Sequence, residues 1–216
     1  PKDIVSGDFY WYAKKEGCLI LVVGDCTGHG VPGAFMSMIG NDQLNQIIIE
    51  KGEKDPARIL SLLNKSIKSA LKQSSAHTET KDGMDIIILT FYPNENKVSY
   101  AGAYRSLFSI NSKNEVVEIS ADKTSIGGGT DINYPFKSHD LPLIKGDSFY
   151  LFSDGFADQF GGGSGKKFMS KKFKTLLAKV NKNPLKEQNL IIEQTFSDWK
   201  GDLDQVDDVC LVGVRF

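Results

Sequence analysis

The sequence has little cysteine, no charge imbalance and no long apolar run, and each absence removes a class of function. Three cysteines, Cys18, Cys26 and Cys210, stand far apart in 216 residues. An odd, unclustered set gives neither a disulfide framework nor a zinc site. Cys18 and Cys210 lie in apolar stretches and read as small core residues, and a reducing cytoplasm is the simplest compartment. Lys and Arg total 26 against 27 Asp and Glu, a net charge of -1. No global field therefore attracts nucleic acid or an anionic membrane, and no nucleic-acid partner is expected. No apolar run approaches the roughly 20 residues that span a bilayer. No charged-then-apolar leader signals secretion. Neither an internal repeat nor a long linker is visible.

What is present is an ordinary globular composition, 40% hydrophobic and 25% charged. This length can bury a substantial core without staples. "CLILVVGD" reads as a buried strand, short, branched and apolar. The turn "CTGHG" follows it. "VPGAFMSMIGNDQLNQIIIEKG" then reads as a helix, with Pro32 in its first turn, Gly52 at its end, and Phe35, Met38, Ile39 and Ile47 near one face. "DPARILSLLNKSIKSALK" is a second helix, capped by Asp55 and striped by Ile59, Leu60, Leu63, Ile67 and Leu71.

After a polar stretch from Gln73 to Lys81 the pattern changes. "MDIIILTFY", "KVSYAGA", "SLFSIN", "EVVEIS", "YPFKSHDL" and "SFYLFSDG" are short runs separated by turn residues, which predicts antiparallel sheet. Helical stretches follow at Lys167–Val180 and Pro184–Lys200, and "DDVCLVGVRF" is a further strand. The succession predicts an α+β fold in which sheets are covered by helices.

Four aspartates share one context. Asp8 in "SGDFYWY", Asp25 in "LVVGDCTG", Asp154 in "FYLFSDGF" and Asp207 in "QVDDVCLVGV" each sit at a strand edge beside glycine or another aspartate. Any one of them fits turn chemistry alone. If the sheets bring them together, carboxylates about 4 Å apart repel by roughly 4 kcal/mol at an effective dielectric near 20. Such a cluster raises its pKa values or recruits a cation, and oxygen-only ligands select magnesium or manganese over zinc. A rival reading takes "DCTG" as the magnesium turn of a nucleotide hydrolase. It needs a phosphate loop. The only candidate, "FGGGSGKKF", has Phe160 in the first glycine's place and Lys167 in that of Ser or Thr. It reads instead as a surface loop.

The motifs "SGDF", "GDCTGHG-PGAFMS", "AGA", "FSDGF" and "Q-DDV-L", in this order across the whole chain, resemble the metal-dependent protein phosphatases (PPM, protein phosphatase 2C-like), in their bacterial SpoIIE/RsbU-like serine phosphatase subtype. The resemblance implies a four-layer αββα sandwich with two central antiparallel sheets. It implies one domain over residues 1–216, the C-terminal part of a longer signalling protein. It implies hydrolysis of phosphoserine or phosphothreonine on a bacterial signalling partner by a metal-activated water, with two Mn2+ or Mg2+ ions. Asp8, Asp25, Asp154 and Asp207 would be the catalytic, metal-holding residues. Asp25 would bridge both ions, and the Cys26 carbonyl would bind one. Gly24 and Gly28 would let the backbone approach the ions, and Asp208 would support the site. Asp82 or Asp85 is a candidate for a weaker third ion. Thr27 stands where eukaryotic relatives carry a histidine proposed as general acid. His29 lies two positions later and reads as a helix-start residue in supporting hydrogen bonds.

The subtype implies a phosphorylated protein substrate of the anti-sigma-factor-antagonist class and an upstream sensory domain. A homodimer and membrane attachment of a full-length protein stay open, while the domain itself is expected in the cytoplasm. Arg105, in "AGAYRSLF", reads as an exposed structural residue, with an approach to phosphate or partner as the alternative. A catalytically silent phosphatase-fold binding module is the alternative, and loss of the aspartates would have favoured it.

Overall fold

The computed structural model describes residues 1–73, 81–163 and 165–216. Most of the polar stretch after Gln73, and Ser164 of the glycine run, lie outside the described residues.

The chain opens with an antiparallel pair, β1 (Phe9–Lys15) and β2 (Cys18–Cys26), in the register Phe9↔Gly24. Helix α1 (Gly30–Leu44) continues directly into a π-helical turn, Asn45–Glu50, and Gly52 lies beyond it with φ +74°. Helix α2 (Pro56–Ala70) starts as predicted, with the Asp55 carboxylate accepting from the Arg58 N–H at 2.8 Å. The strands β3 (Gly83–Tyr92), β4 (Lys97–Ala103), β5 (Leu107–Ile110) and β6 (Val116–Ile119) follow, then the short β7 (Ile126–Gly127), β8 (His139–Pro142) and β9 (Ser148–Phe152). A single turn, α3 (Gly155–Asp158), leads to the small hairpin β10 (Phe160–Gly161) and β11 (Lys166–Lys167). Helices α4 (Ser170–Val180) and α5 (Leu185–Lys200) precede the last strand, β12 (Leu211–Arg215).

The strands form two main antiparallel sheets. One has the order β1-β2-β3-β4-β8, with β7 attached to β3; the other runs β12-β9-β5-β6. Side-chain alternation along the strands builds the layers. Leu21, Val23, Ile87, Leu89, Phe149 and Leu151 fill the space between the sheets. Their neighbours Ile20, Val22, Ile86 and Ile88 point the other way, onto Leu44, Ile59, Leu63 and Ile67 of α1 and α2. Phe108, Ile110 and Tyr150 leave the second sheet toward Phe173, Leu177 and Ile192 of α4 and α5. Helix, sheet, sheet, helix is the expected four-layer order.

One helix face differs from the sequence reading. Phe35 and Met38 are 63% and 68% exposed, and α1 instead buries Gly33, Met36, Gly40 and Leu44. Glycine sets this face. A Cβ on Gly40 would come 3.1 Å from Met84 Cε and from the Phe9 ring, and one on Gly33 would come 2.3 Å from the Gly28 carbonyl oxygen. The helix packs closest where it has no side chain. Among the described residues no helix is long and apolar enough to cross a membrane.

Candidate active site

The strand-end aspartates meet at one end of the sandwich. Asp25 lies opposite Asp85 in the β2–β3 register. Asp8 precedes Phe9, whose partner Gly24 adjoins Asp25. Asp154 lies one residue beyond β9, at the start of α3. Asp207 precedes β12, which pairs with β9 through Leu211↔Phe152. Both sheets therefore contribute, and strand pairing fixes the positions.

Arg105 occupies the centre. Its Nη2 lies 2.8 Å from Asp25 Oδ2, 3.0 Å from Asp85 Oδ2 and 2.6 Å from Asp154 Oδ2. Its side chain is only 17% exposed, so the expectation of an exposed residue is corrected. Ser153 Oγ donates to Asp8 Oδ2 and accepts from the Cys210 N–H at 2.9 Å. Ser125 Oγ donates to Asp85 Oδ1.

The electrostatics follow from this crowding. Burial pushes the Asp25 carboxyl up to about 8; Arg105 opposes the shift, while Asp8, Asp154 and Asp85 add to it. Burial pushes Asp8 up to about 6 against its hydrogen bond from Ser153, with Asp208, Asp207 and Asp154 adding repulsion. Asp85 and Asp207 are raised as well, chiefly by burial. Asp208 is held below its ordinary value: burial works to raise it, but N–H groups of Lys2 at 2.6 Å and Gly7 at 2.8 Å outweigh that.

Asp208 thus ties the first residues to the last strand. His29 stands at the start of α1, its Nδ1 2.8 Å from Asp3 Oδ2 and its Nε2 3.2 Å from Lys2 Nζ. It bonds the leading segment, not the carboxylate cluster. Thr27 is stitched to Gly83 by its backbone N–H at 2.9 Å and by its hydroxyl. Gly24 makes room for Phe9, whose ring would lie 2.4 Å from a Cβ there. Gly28 has φ +84°, and its carbonyl oxygen sits against Gly7 and Gly33. Cys26 turns its thiol into the core under α1, where burial raises its pKa. Asp82 offers its carbonyl to Gln73 at 2.7 Å.

These residues fit a hard divalent cation. The donors are all oxygen: Asp25, Asp85 and Asp154 share the Arg105 guanidinium, and Asp8 and Asp207 add negative charge near Asp154, which leaves the cluster short of positive charge. Among the described residues no three acid, His or Cys side chains already form a metal cage. The oxygens are turned instead onto Arg105 and the serines. A polar cavity of about 410 Å³ opens beside Asp25 and Asp85, lined also by Tyr104, Thr124, Ser125 and Thr130. An apolar groove of about 430 Å³, between Tyr10, Tyr12, Leu185 and Ile192, holds none of the acids.

Comparison with known proteins supplies the relationship. The sequence model described as Stage II sporulation protein E (SpoIIE) matches residues 15–216. The structure of the SiaA-PP2C domain of Pseudomonas aeruginosa superposes with a TM-score of 0.90 at 32% identity, covering 100% of this chain and 83% of that one. The phosphoserine phosphatase RsbU of Bacillus subtilis (strain 168) is 28% identical over 164 residues, 72% of this chain and 44% of RsbU. The chain therefore spans less than half of that relative. The PP2C phosphatase domain of SpoIIE from Bacillus subtilis, with a fragment of its regulatory domain, shares the fold at 20% identity and a TM-score of 0.75, covering 99% of this chain and 59% of that one. Matched over nearly its whole length, the chain belongs to the SpoIIE family.

Proposed function

We propose that the protein is a metal-dependent serine/threonine protein phosphatase that hydrolyses a phosphoserine or phosphothreonine on a bacterial signalling partner. The convergence of Asp8, Asp25, Asp85, Asp154 and Asp207 beside a polar cavity carries this reading. The similarity to RsbU, a phosphoserine phosphatase, supports it.

Asp8, Asp25, Asp154 and Asp207 would hold two ions, Mn2+ or Mg2+, with the Cys26 carbonyl as a further oxygen and Asp208 bracing the leading segment that carries Asp8. When bound, such ions supply Lewis acidity and an activated water. The protein's own residues do the rest. Asp25 is held by the β2–β3 pairing and Asp154 by its place between β9 and α3, so the backbone that carries them does not reorganise as charge moves. Ser153 fixes one oxygen of Asp8 and leaves the other free to face a cation. The Thr124, Ser125 and Thr130 hydroxyls line the cavity in a chain of hydrogen bonds, Thr130 donating to the Ser125 carbonyl and Ser125 to Asp85, and so hold the Asp85 carboxylate in place. Burial pushes the Cys26 thiol up, and the Cys210 thiol up to about 12, so neither is a nucleophile at neutral pH. The partner class favoured is a phosphorylated anti-sigma-factor antagonist, with an upstream sensory domain controlling the reaction.

The test is phosphate release from a generic phosphomonoester and a phosphoserine peptide, with manganese and then with chelator. Asp25→Asn and Asp154→Asn should each lower turnover by orders of magnitude with circular dichroism unchanged. Near-normal release by either metal-loaded variant overturns the site. An inert but folded, manganese-bound wild-type protein favours the binding module.

A further inference from the structure

The phosphatase reading needs carboxylates and does not need a guanidinium among them. Yet three features aim Arg105 at their centre. Tyr104 adopts φ +68°, a backbone conformation that is strained for a non-glycine residue, and its N–H is tied to the Asp122 carbonyl at 2.8 Å. The buried Tyr100 Oη donates to the Arg105 carbonyl at 2.7 Å. Gly102 leaves the space for that bond, since a Cβ there would lie 2.2 Å from Tyr100 Oη and 2.3 Å from the Arg105 carbonyl oxygen.

The head group is not bonded as a structural arginine normally is. A structural pair uses the planar fork, two parallel N–H donors on one carboxylate. Here one nitrogen, Nη2, with two hydrogens, faces three carboxylates on three strand ends. Nε is buried and has no partner. The guanidinium acts as a point charge at the meeting place of the oxygens, which is how a metal ion acts.

We propose that Arg105 is a resident counter-ion that stands in for a divalent cation among Asp25, Asp85 and Asp154, and that a metal must displace it to bind. The inference rests on the metal-dependent reading above. Metal-free, Arg105 keeps the acids from driving the two sheets apart. Metal-loaded, the adjoining polar cavity of about 410 Å³ has room for the displaced side chain. Metal affinity is thereby set below what the carboxylates alone would give, so occupancy follows the supply of the ion.

The experiment is calorimetric titration of the chelator-stripped protein with MnCl2, for wild type, Arg105→Met and Arg105→Lys, with thermal melts in chelator and in manganese. Arg105→Met keeps an unbranched stem and loses the charge. It should bind manganese at least tenfold more tightly, melt lower than wild type in chelator, and gain more from the ion. Arg105→Lys, a point charge, should bind closer to wild type. Unchanged or weaker binding by a folded Arg105→Met protein overturns the proposal and leaves the metal reading intact. No binding by wild type or Arg105→Met overturns both. Binding by Arg105→Met alone supports the displacement outright. Activity is not the readout, so a failure of phosphatase chemistry is distinguishable from a failure of the counter-ion role.

Discussion

Replacing Ser153 by alanine removes a hydroxyl that serves two partners at once. It donates to Asp8 Oδ2 and accepts from the Cys210 N–H at 2.9 Å, in a place that is 2% exposed. Alanine fits the space but leaves a backbone donor orphaned and a carboxylate less well held. An orphaned buried group costs about 1–3 kcal/mol. For about 2 kcal/mol in a domain of this size, the melting temperature should fall by about 4–8 °C. The loss should depend on pH. The Asp8 carboxyl is already raised from 3.8 to about 6, so the native state keeps a proton that the unfolded chain releases. That group's contribution to stability therefore weakens as pH rises from about 4 to about 6. Without Ser153, a bond that lowers this pKa is gone, and the weakening extends to higher pH. The gap between wild type and Ser153→Ala, measured by thermal denaturation in chelator, should be larger at pH 7.5 than at pH 4. A variant that melts within a degree of wild type at both pH values refutes the account.

Gly33→Ala, a change that usually stabilises a helix interior, should here destabilise by several kcal/mol, since the new Cβ would stand 2.3 Å from the Gly28 carbonyl oxygen and 2.8 Å from Gly7 Cα. Urea denaturation checks the sign, and a more stable variant refutes the close packing of α1. Metal-free protein should lose stability as pH rises from about 4 to about 8, because the raised Asp25 carboxyl must ionise in place. Melts at fixed manganese concentration should separate increasingly from melts in chelator over the same range, as ligand protons are given up. Asn64→Leu should cost about 1–3 kcal/mol, because its buried amide accepts from the Gly127 N–H and donates to the Asp131 carbonyl, both at 2.9 Å. Chemical denaturation with activity unchanged per folded molecule is the expected pattern.

Much of this architecture was legible because burial follows period. The stripe of α2 marks its buried face and the apolar runs of β2, β3 and β9 mark buried strands, while the four-layer order came from the family resemblance. The face of α1 was not legible in the same way. Its apolar residues outnumber the places available in the core, and glycine, which carries no hydrophobic signal, selects the packed side. The π-helical turn then shifts the phase so that both Ile47 and Ile48 are buried. At the site, the strand-end aspartates announced themselves by their shared context. Asp85 was visible only as one of two candidates, and the register with Asp25 is what distinguishes it from Asp82. Ser153 carried a weak signal, a hydroxyl between an apolar strand and an aspartate. Arg105 could be read as a phosphate or partner contact but not as the centre of the acids, because its direction is set by the left-handed turn at Tyr104, which no residue type there advertises.

The acids of the site come from far apart along the chain, and that separation has a consequence for synthesis. At about 5–20 residues per second, a ribosome needs about 10–40 s after making Asp8 to reach Asp207. Until then, β9 has no β12 beside it and Asp208 is not there to bind the backbone of Lys2 and Gly7. A nascent or prematurely ended chain carries most of the carboxylates yet cannot close the cluster. Closure of the proposed catalytic cluster therefore waits for the residues from Asp207 onward, and a chain ended before them is expected to lack phosphatase activity.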